Sequence, residues 1–172
     1  LPEVRVKKEE ADKVQSLAGT RVKLVRLKTS LINKIHALSV SNGRKIKKTS
    51  LASEKGLEKV LEEGWTQIER IELDIVIEQI RSLKEGIKKL DTAIATESEK
   101  LTGYRNLVSI SGIGSLSAGI LLSVIGDASD FANADKLASY FGIVPRVSNS
   151  NETVNHGRIT KHGSKTGRTT LV

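Results

Sequence analysis

The residues best suited to chemistry lie in one stretch, Phe141 to Arg168, which reads FGIVPRVSNSNETVNHGRITKHGSKTGR. A tight apolar turn, Phe141-Gly142-Ile143-Val144-Pro145, runs into a loop rich in serine and asparagine. Beyond the loop, Arg158, Lys161, Lys165 and Arg168 recur every three or four residues among glycines. Hydroxyls, amides and cations dominate, so nothing here can pack a core. So polar a segment, set directly after an apolar block, reads as a working surface. The chemistry it suits is that of phosphates, whose dispersed negative charge calls for fixed cations, with Arg146, Arg158, Lys161 and Arg168 available. The plainer alternative is a disordered basic tail on a helical domain.

Other chemistries find little support. The 172 residues hold no cysteine, which excludes disulfides and thiolate metal sites. His36, His156 and His162 are scattered, and no pair has ligand spacing on a helix face. His156 or His162 could hold a proton in the polar loop, although exposed histidines there usually do nothing. No carboxylate pair looks like a metal site, and capping a helix end is the expected role of Asp127 and Asp130. No apolar run approaches the ~18 residues of a membrane span, and no signal peptide is visible. A soluble, cytoplasmic protein is the default. The chain contains no methionine and opens on Leu1-Pro2, which reads as an entry in mid-sequence and hence as a fragment.

Charge is segregated. The net charge is +8. Residues 1–60 hold 15 Lys/Arg against 6 Asp/Glu, residues 61–103 hold 6 against 10, and residues 104–172 hold 7 against 4. Two basic ends flanking an acidic middle point to a polyanion partner, most simply nucleic acid.

The elements that must position the working stretch are helical. From about Glu9 to Ser41, Leu17, Leu24, Leu31 and Leu38 recur every seven residues with Arg21, Lys28 and Ile35 between them, the spacing of a coiled-coil seam. Cations at two seam positions need a partner or water. Arg21, Arg26, Lys28 and Lys34 leave the surface positive, either as a solvated face or as a helix that tracks phosphate backbones. Gly43 ends the helix, and Arg44 to Lys48 form a cationic loop. Ser50 to Gly64 predicts a short helix capped by Ser50 or Ser53. From about Thr66 to Lys100, Leu73, Val76, Ile80, Leu83, Ile87, Leu90 and Ile94 follow an unbroken three-four alternation. That seam must be covered, by the first helix folding back or by a second copy of the chain. Gly112-Ile113-Gly114 then sits between apolar positions ahead of a helix of small and branched residues. Such a turn suits a helix-hairpin-helix unit that aims backbone amides at phosphate, and it also suits a plain helix-helix turn. Leu137 to Phe141 marks one more amphipathic helix.

These residues together resemble the insertion-sequence 110 transposase family, the bridge-RNA-guided DNA recombinases. Arg21 to Gly43 looks like that family's linker helix, and Ile110-Ser111-Gly112-Ile113-Gly114 like its glycine hairpin. Ile125-Gly126-Asp127, Phe131, Leu137-Ala138, Tyr140, Gly142 and Pro145 look like the block ahead of its active loop. Gly157-Arg158-Ile159-Thr160-Lys161-His162-Gly163 is similar to its glycine-arginine-isoleucine motif, with Arg168 matching the arginine that follows. The resemblance covers nearly the whole chain, and the order and spacing of its parts are what make it specific. It implies a serine nucleophile in a serine-serine-glycine step shortly after the proline. Here the step reads Asn149-Ser150-Asn151, which carries the role to Ser150, with Ser148 as runner-up, and departs from the pattern on both sides. It also implies an N-terminal RuvC-like domain whose acids bind Mg2+, with no cofactor in the present stretch, which alone would be inactive.

The expected fold is therefore all-α. A coiled-coil arm over residues 1–103 leads to a small helical serine transposase domain over 104–172, with a helix-hairpin-helix-like turn and a polar, basic C-terminal loop. The expected partners are DNA, a structured guide RNA and a second copy of the chain through the coiled coil. Arg21, Arg26, Lys28, Lys34, Gly112, Gly114, Arg146, Arg158, Lys161, Lys165 and Arg168 are the candidate nucleic-acid contacts. A non-catalytic helix-hairpin-helix binding module with a dimerisation arm is the alternative, and a purely structural coiled coil would leave the charge segregation unexplained.

Overall fold

A computed structural model describes residues 8–150 and 153–171, and the side chains of 8–147 and 157–171. The architecture is mostly helical, as expected. Its elements are α1 (Glu9–Ser41), a 3-10 turn (Lys48–Ala52), α2 (Glu54–Leu61), α3 (Gln67–Ser98), α4 (Tyr104–Val108), α5 (Ser115–Ile125), a second 3-10 turn (Ala128–Asp130), α6 (Ala134–Phe141), strands β1 (Pro145–Ser150) and β2 (Thr153–Ile159), and α7 (Lys165–Leu171). The chain divides into two compact units, residues 19–92 and residues 1–18 with 93–172.

In the unit of residues 19–92, α1 folds back on α3 as an antiparallel hairpin, which answers what covers the seam. Lys34 pairs with Glu72 at 2.8 Å, Leu24 lies against Gly86, and Arg21 pairs with Asp91. As the first position climbs, the second falls, which is the mark of antiparallel packing. The core gathers Ile32 and Ile35 of α1, Leu51, Leu57 and Val60, and Leu73, Ile77 and Ile80 of α3. Each fully buried aliphatic side chain contributes about 1.5–3 kcal/mol. On α3 the expected positions 73, 80 and 87 are buried, whereas the buried partner in the first heptad is Ile77, with Val76 half-buried beside it. The seam cation Arg21 is satisfied by Asp91, at the α3 position next to Leu90.

Local sequence sets the ends of these elements. Thr66 and Glu69 form a capping box: the Thr66 amide and hydroxyl donate to Glu69 Oε2 at 2.9 and 2.8 Å, and the Glu69 amide donates to Thr66 Oγ1 at 3.4 Å. These bonds hold the Glu69 carboxyl below the usual glutamate range, the Thr66 amide first and its hydroxyl second. Ser53, one of the two expected caps, accepts the Gly56 amide at the start of α2. Arg44 turns inward, its guanidinium 3.4 Å from the Trp65 ring centre, and donates to the Gly64 carbonyl.

In the other unit, α5 is the central element, buried from Ala118 to Val124. Val14 and Ala18 of α1, Ile94 of α3 and Ile120 of α5 make one cluster. Leu121, Val124 and Phe141 make a second, with Leu107 and Leu137 packed against it. Phe131, Tyr140 and Phe141 stack edge-wise at 5.2 and 5.8 Å, and the Tyr140 hydroxyl donates to the Val124 carbonyl. The chain is thin in aromatics, and it concentrates three of its five here.

Candidate nucleic-acid interface

Where the sequence suggested a polar loop, the backbone forms an antiparallel β-hairpin. Val147 pairs with His156, Ser148 with Asn155, Asn149 with Val154 and Ser150 with Thr153. The register slips between Pro145 and Val147, since Pro145 pairs with Ile159, so β2 carries one extra residue opposite Arg146. Ser150 ends β1 and Ser148 lies two positions before it. The side chains of Ser148, Ser150 and His156 lie outside the described residues, as do Asn151 and Glu152.

The base of the hairpin is fixed by close backbone packing. Thr160 donates its amide to the Val144 carbonyl and Lys161 to that of Gly142, which extends the pairing past the strands. Gly142 ends α6 at φ +67°, and a Cβ there would stand 2.7 Å from the His162 carbonyl carbon and 2.8 Å from its nitrogen. Gly163, at φ +122°, is pressed in the same way against the Tyr140 carbonyl. Only glycine fits either place. Gly167 brings α7 against the Phe141 ring. Lys161 is the one non-glycine with positive φ among the described residues, at 58°.

Arg168 locks this junction. Its Nη1 donates to the Phe141 carbonyl at 2.9 Å and to the Gly163 carbonyl at 3.1 Å. That engagement gives it a positioning role, tying the end of α6 to the turn before α7. Arg146, Arg158, Lys161 and Lys165 differ: all four are exposed, and among the described residues none makes an ion pair. Uncompensated cations around a hairpin base attract phosphate.

The remaining candidates are dispersed. Gly112 has φ +94°, Gly114 precedes α5 in extended conformation with no side-chain cap, and both face open space. On α1, Arg21 and Lys34 are engaged with Asp91 and Glu72, Arg26 is exposed and Lys28 is half-buried. Asp127 caps the second 3-10 turn, accepting from the Ser129 amide at 2.9 Å. Sequence reasoning missed the hairpin and the glycine lock, although Gly142, Gly163 and Gly167 were visible as glycines. Among the described residues no group of three His, Asp or Glu lies together in a way that could hold a metal ion. No helix among them is long and apolar enough to cross a membrane.

Residues 104–172, which take in α4 to α7 and both strands, match the family described as "Transposase IS116/IS110/IS902 family". The chain is similar to a "Probable family 20 transposase" of Pseudomonas aeruginosa (strain PAO1), at 28% identity over 98% of this chain and 51% of the relative. It is also similar to the "Transposase for insertion sequence element IS1111A" of Coxiella burnetii (strain RSA 493), at 27% identity over 98% of this chain and 47% of that protein. The chain thus spans about half the length of these relatives.

Proposed function

We propose that this chain is part of a DNA transposase of the IS116/IS110/IS902 type, and that its hairpin carries the nucleophile for strand cleavage and rejoining. One observation supports this most: the stretch that matches the family holds Arg146, Arg158 and Lys161 exposed on and just after the hairpin bearing Ser148 and Ser150, and among the described residues none of the three makes an ion pair. In the proposed step the Ser150 oxygen bonds to the scissile phosphorus while the bond to one sugar oxygen breaks. The serine proton passes to a base and the leaving oxygen takes one up, giving a phosphoserine link and a free hydroxyl end. The link conserves bond energy for rejoining, and Arg146, Arg158 and Lys161 stabilise the spread negative charge. The Gly112–Gly114 turn adds backbone amides at the start of α5 to the phosphate contacts.

A structured guide RNA and an N-terminal RuvC-like domain with Mg2+ belong to this proposal through the resemblance alone. Assembly of two copies would use the apolar positions that the α1–α3 hairpin leaves exposed, Ile68, Ile71 and Ile75, because the seam itself is filled within the chain. Asn149 and Asn151, which flank Ser150, favour the second reading, a binding module without catalysis.

The test is strand exchange with the N-terminal domain restored. Ser150→Ala abolishes it on this account, while Ser148→Ala leaves a substantial fraction. Equal activity in both variants and the parent would end the assignment.

A further inference from the structure

The unit of residues 19–92 contains a cleft of about 470 Å³ whose lining includes Lys45, Lys47, Lys55 and Lys59, together with Ser53 and Glu63. It lies outside the stretch that matches the transposase family. All four lysines are exposed, and among the described residues none forms an ion pair. The nearby carboxylates offset them only in part. Glu54 is taken by Arg81 and Lys84, and Glu63 lies 4.0 Å from the Arg44 guanidinium. The lining thus carries four ammonium groups against the one carboxylate of Glu63, and the excess positive charge draws an outside anion.

We infer that this cleft is a second phosphate-backbone contact, taking a strand of nucleic acid beside α2. The choice of cation favours phosphate over a protein carboxylate. Planar carboxylates are recognised best by the arginine fork, whereas lysine meets phosphate as a point charge. The one arginine of this loop, Arg44, is turned away onto Trp65 and the Gly64 carbonyl, leaving ammonium groups as the cations of the cleft. The Ser50 and Ser53 hydroxyls donate to the Lys47 and Ser50 carbonyls, so the recognition is of charge and not of base edges. The inference rests on the proposed function only for nucleic acid as the partner class. It needs neither the serine chemistry nor the hairpin.

The test uses the whole chain with Lys45, Lys47, Lys55 and Lys59 all changed to Gln, and in parallel all changed to Arg. Binding to a structured RNA, a duplex DNA and poly-glutamate is measured from 0.05 to 0.3 M salt, with far-UV circular dichroism as the check on folding. The Gln variant makes the slope of log K against log salt shallower by about 3 and weakens binding at least about tenfold at 0.15 M. The Arg variant keeps both. A change confined to RNA or to DNA supports the inference and identifies the strand. Unchanged slopes for both nucleic acids in a folded Gln variant overturn it, as does a loss seen only with poly-glutamate. Loss of strand exchange in Ser150→Ala is read independently, so either reading can fail without the other.

Discussion

Replacing Gly142 by alanine tests how the hairpin is held. Two costs add at this position. Alanine at φ +67° is in the left-handed region, which costs about 1–2 kcal/mol. The new Cβ would also press on the His162 carbonyl oxygen and stand 2.7 Å from its carbon, where ordinary contact begins at 3.4 Å, so the backbone must move. Overpacking of that kind adds about 1–3 kcal/mol. The expected total is about 2–5 kcal/mol. Gly112→Ala is the matched control, because its φ is +94° and nothing lies within 4 Å of the added carbon, leaving only the conformational cost. The loss of unfolded-state entropy is common to both and cancels in the difference. Urea unfolding followed by circular dichroism gives the two stabilities. Hydrogen exchange at the Thr160 and Lys161 amides reports the junction itself, since these donate to Val144 and Gly142. Gly142→Ala should be the less stable by at least about 1 kcal/mol and should speed exchange at both amides. Equal stabilities, with exchange unchanged, would refute the lock.

Three further outcomes follow from the same geometry. Arg168→Lys keeps the charge but not the two-pronged reach to Phe141 and Gly163, so it should destabilise by about 1–2 kcal/mol and weaken nucleic-acid binding less than Arg158→Gln does. Leu73→Ala, fully buried between α1 and α3, should cost about 2–5 kcal/mol, read by urea unfolding through the fluorescence of Trp65, which packs on that core. Glu69 has a lowered pKa when folded, so its contribution is complete above the ordinary glutamate value of about 4.3 and is lost as pH falls through the folded value. Glu69→Gln removes the titrating carboxylate and should flatten that acid limb, and a limb unchanged in the variant would dismiss the capping box as its source.

Much of the helical frame was legible. The bounds of α1 match the reading from periodicity, and α3 differs by a residue or two at each end. The seam was offset in part because branched residues stand on both sides of it: Val76 and Ile77 are adjacent, and apolar spacing alone cannot choose between them. Arg21 holds its seam place through Asp91, a tertiary pairing that no local pattern reveals. The hairpin was hidden for a different reason. Its strands carry Arg146, Ser148, Asn149, Ser150, Asn155 and His156, with no alternating apolar face to betray period two. Backbone pairing and the glycine junction support it. Helix α7 was equally obscure, since Gly167 and three threonines are poor helix formers, and the helix packs through that glycine against Phe141.

The most direct measurement is to trap and map the covalent adduct between the chain, joined to the N-terminal domain that the proposal invokes, and a nicked DNA substrate. Peptide mass spectrometry should find the nucleotide on Ser150, and Ser150→Ala should abolish it while Ser148→Ala retains it. An adduct on another residue, or one that persists in Ser150→Ala, would contradict the account.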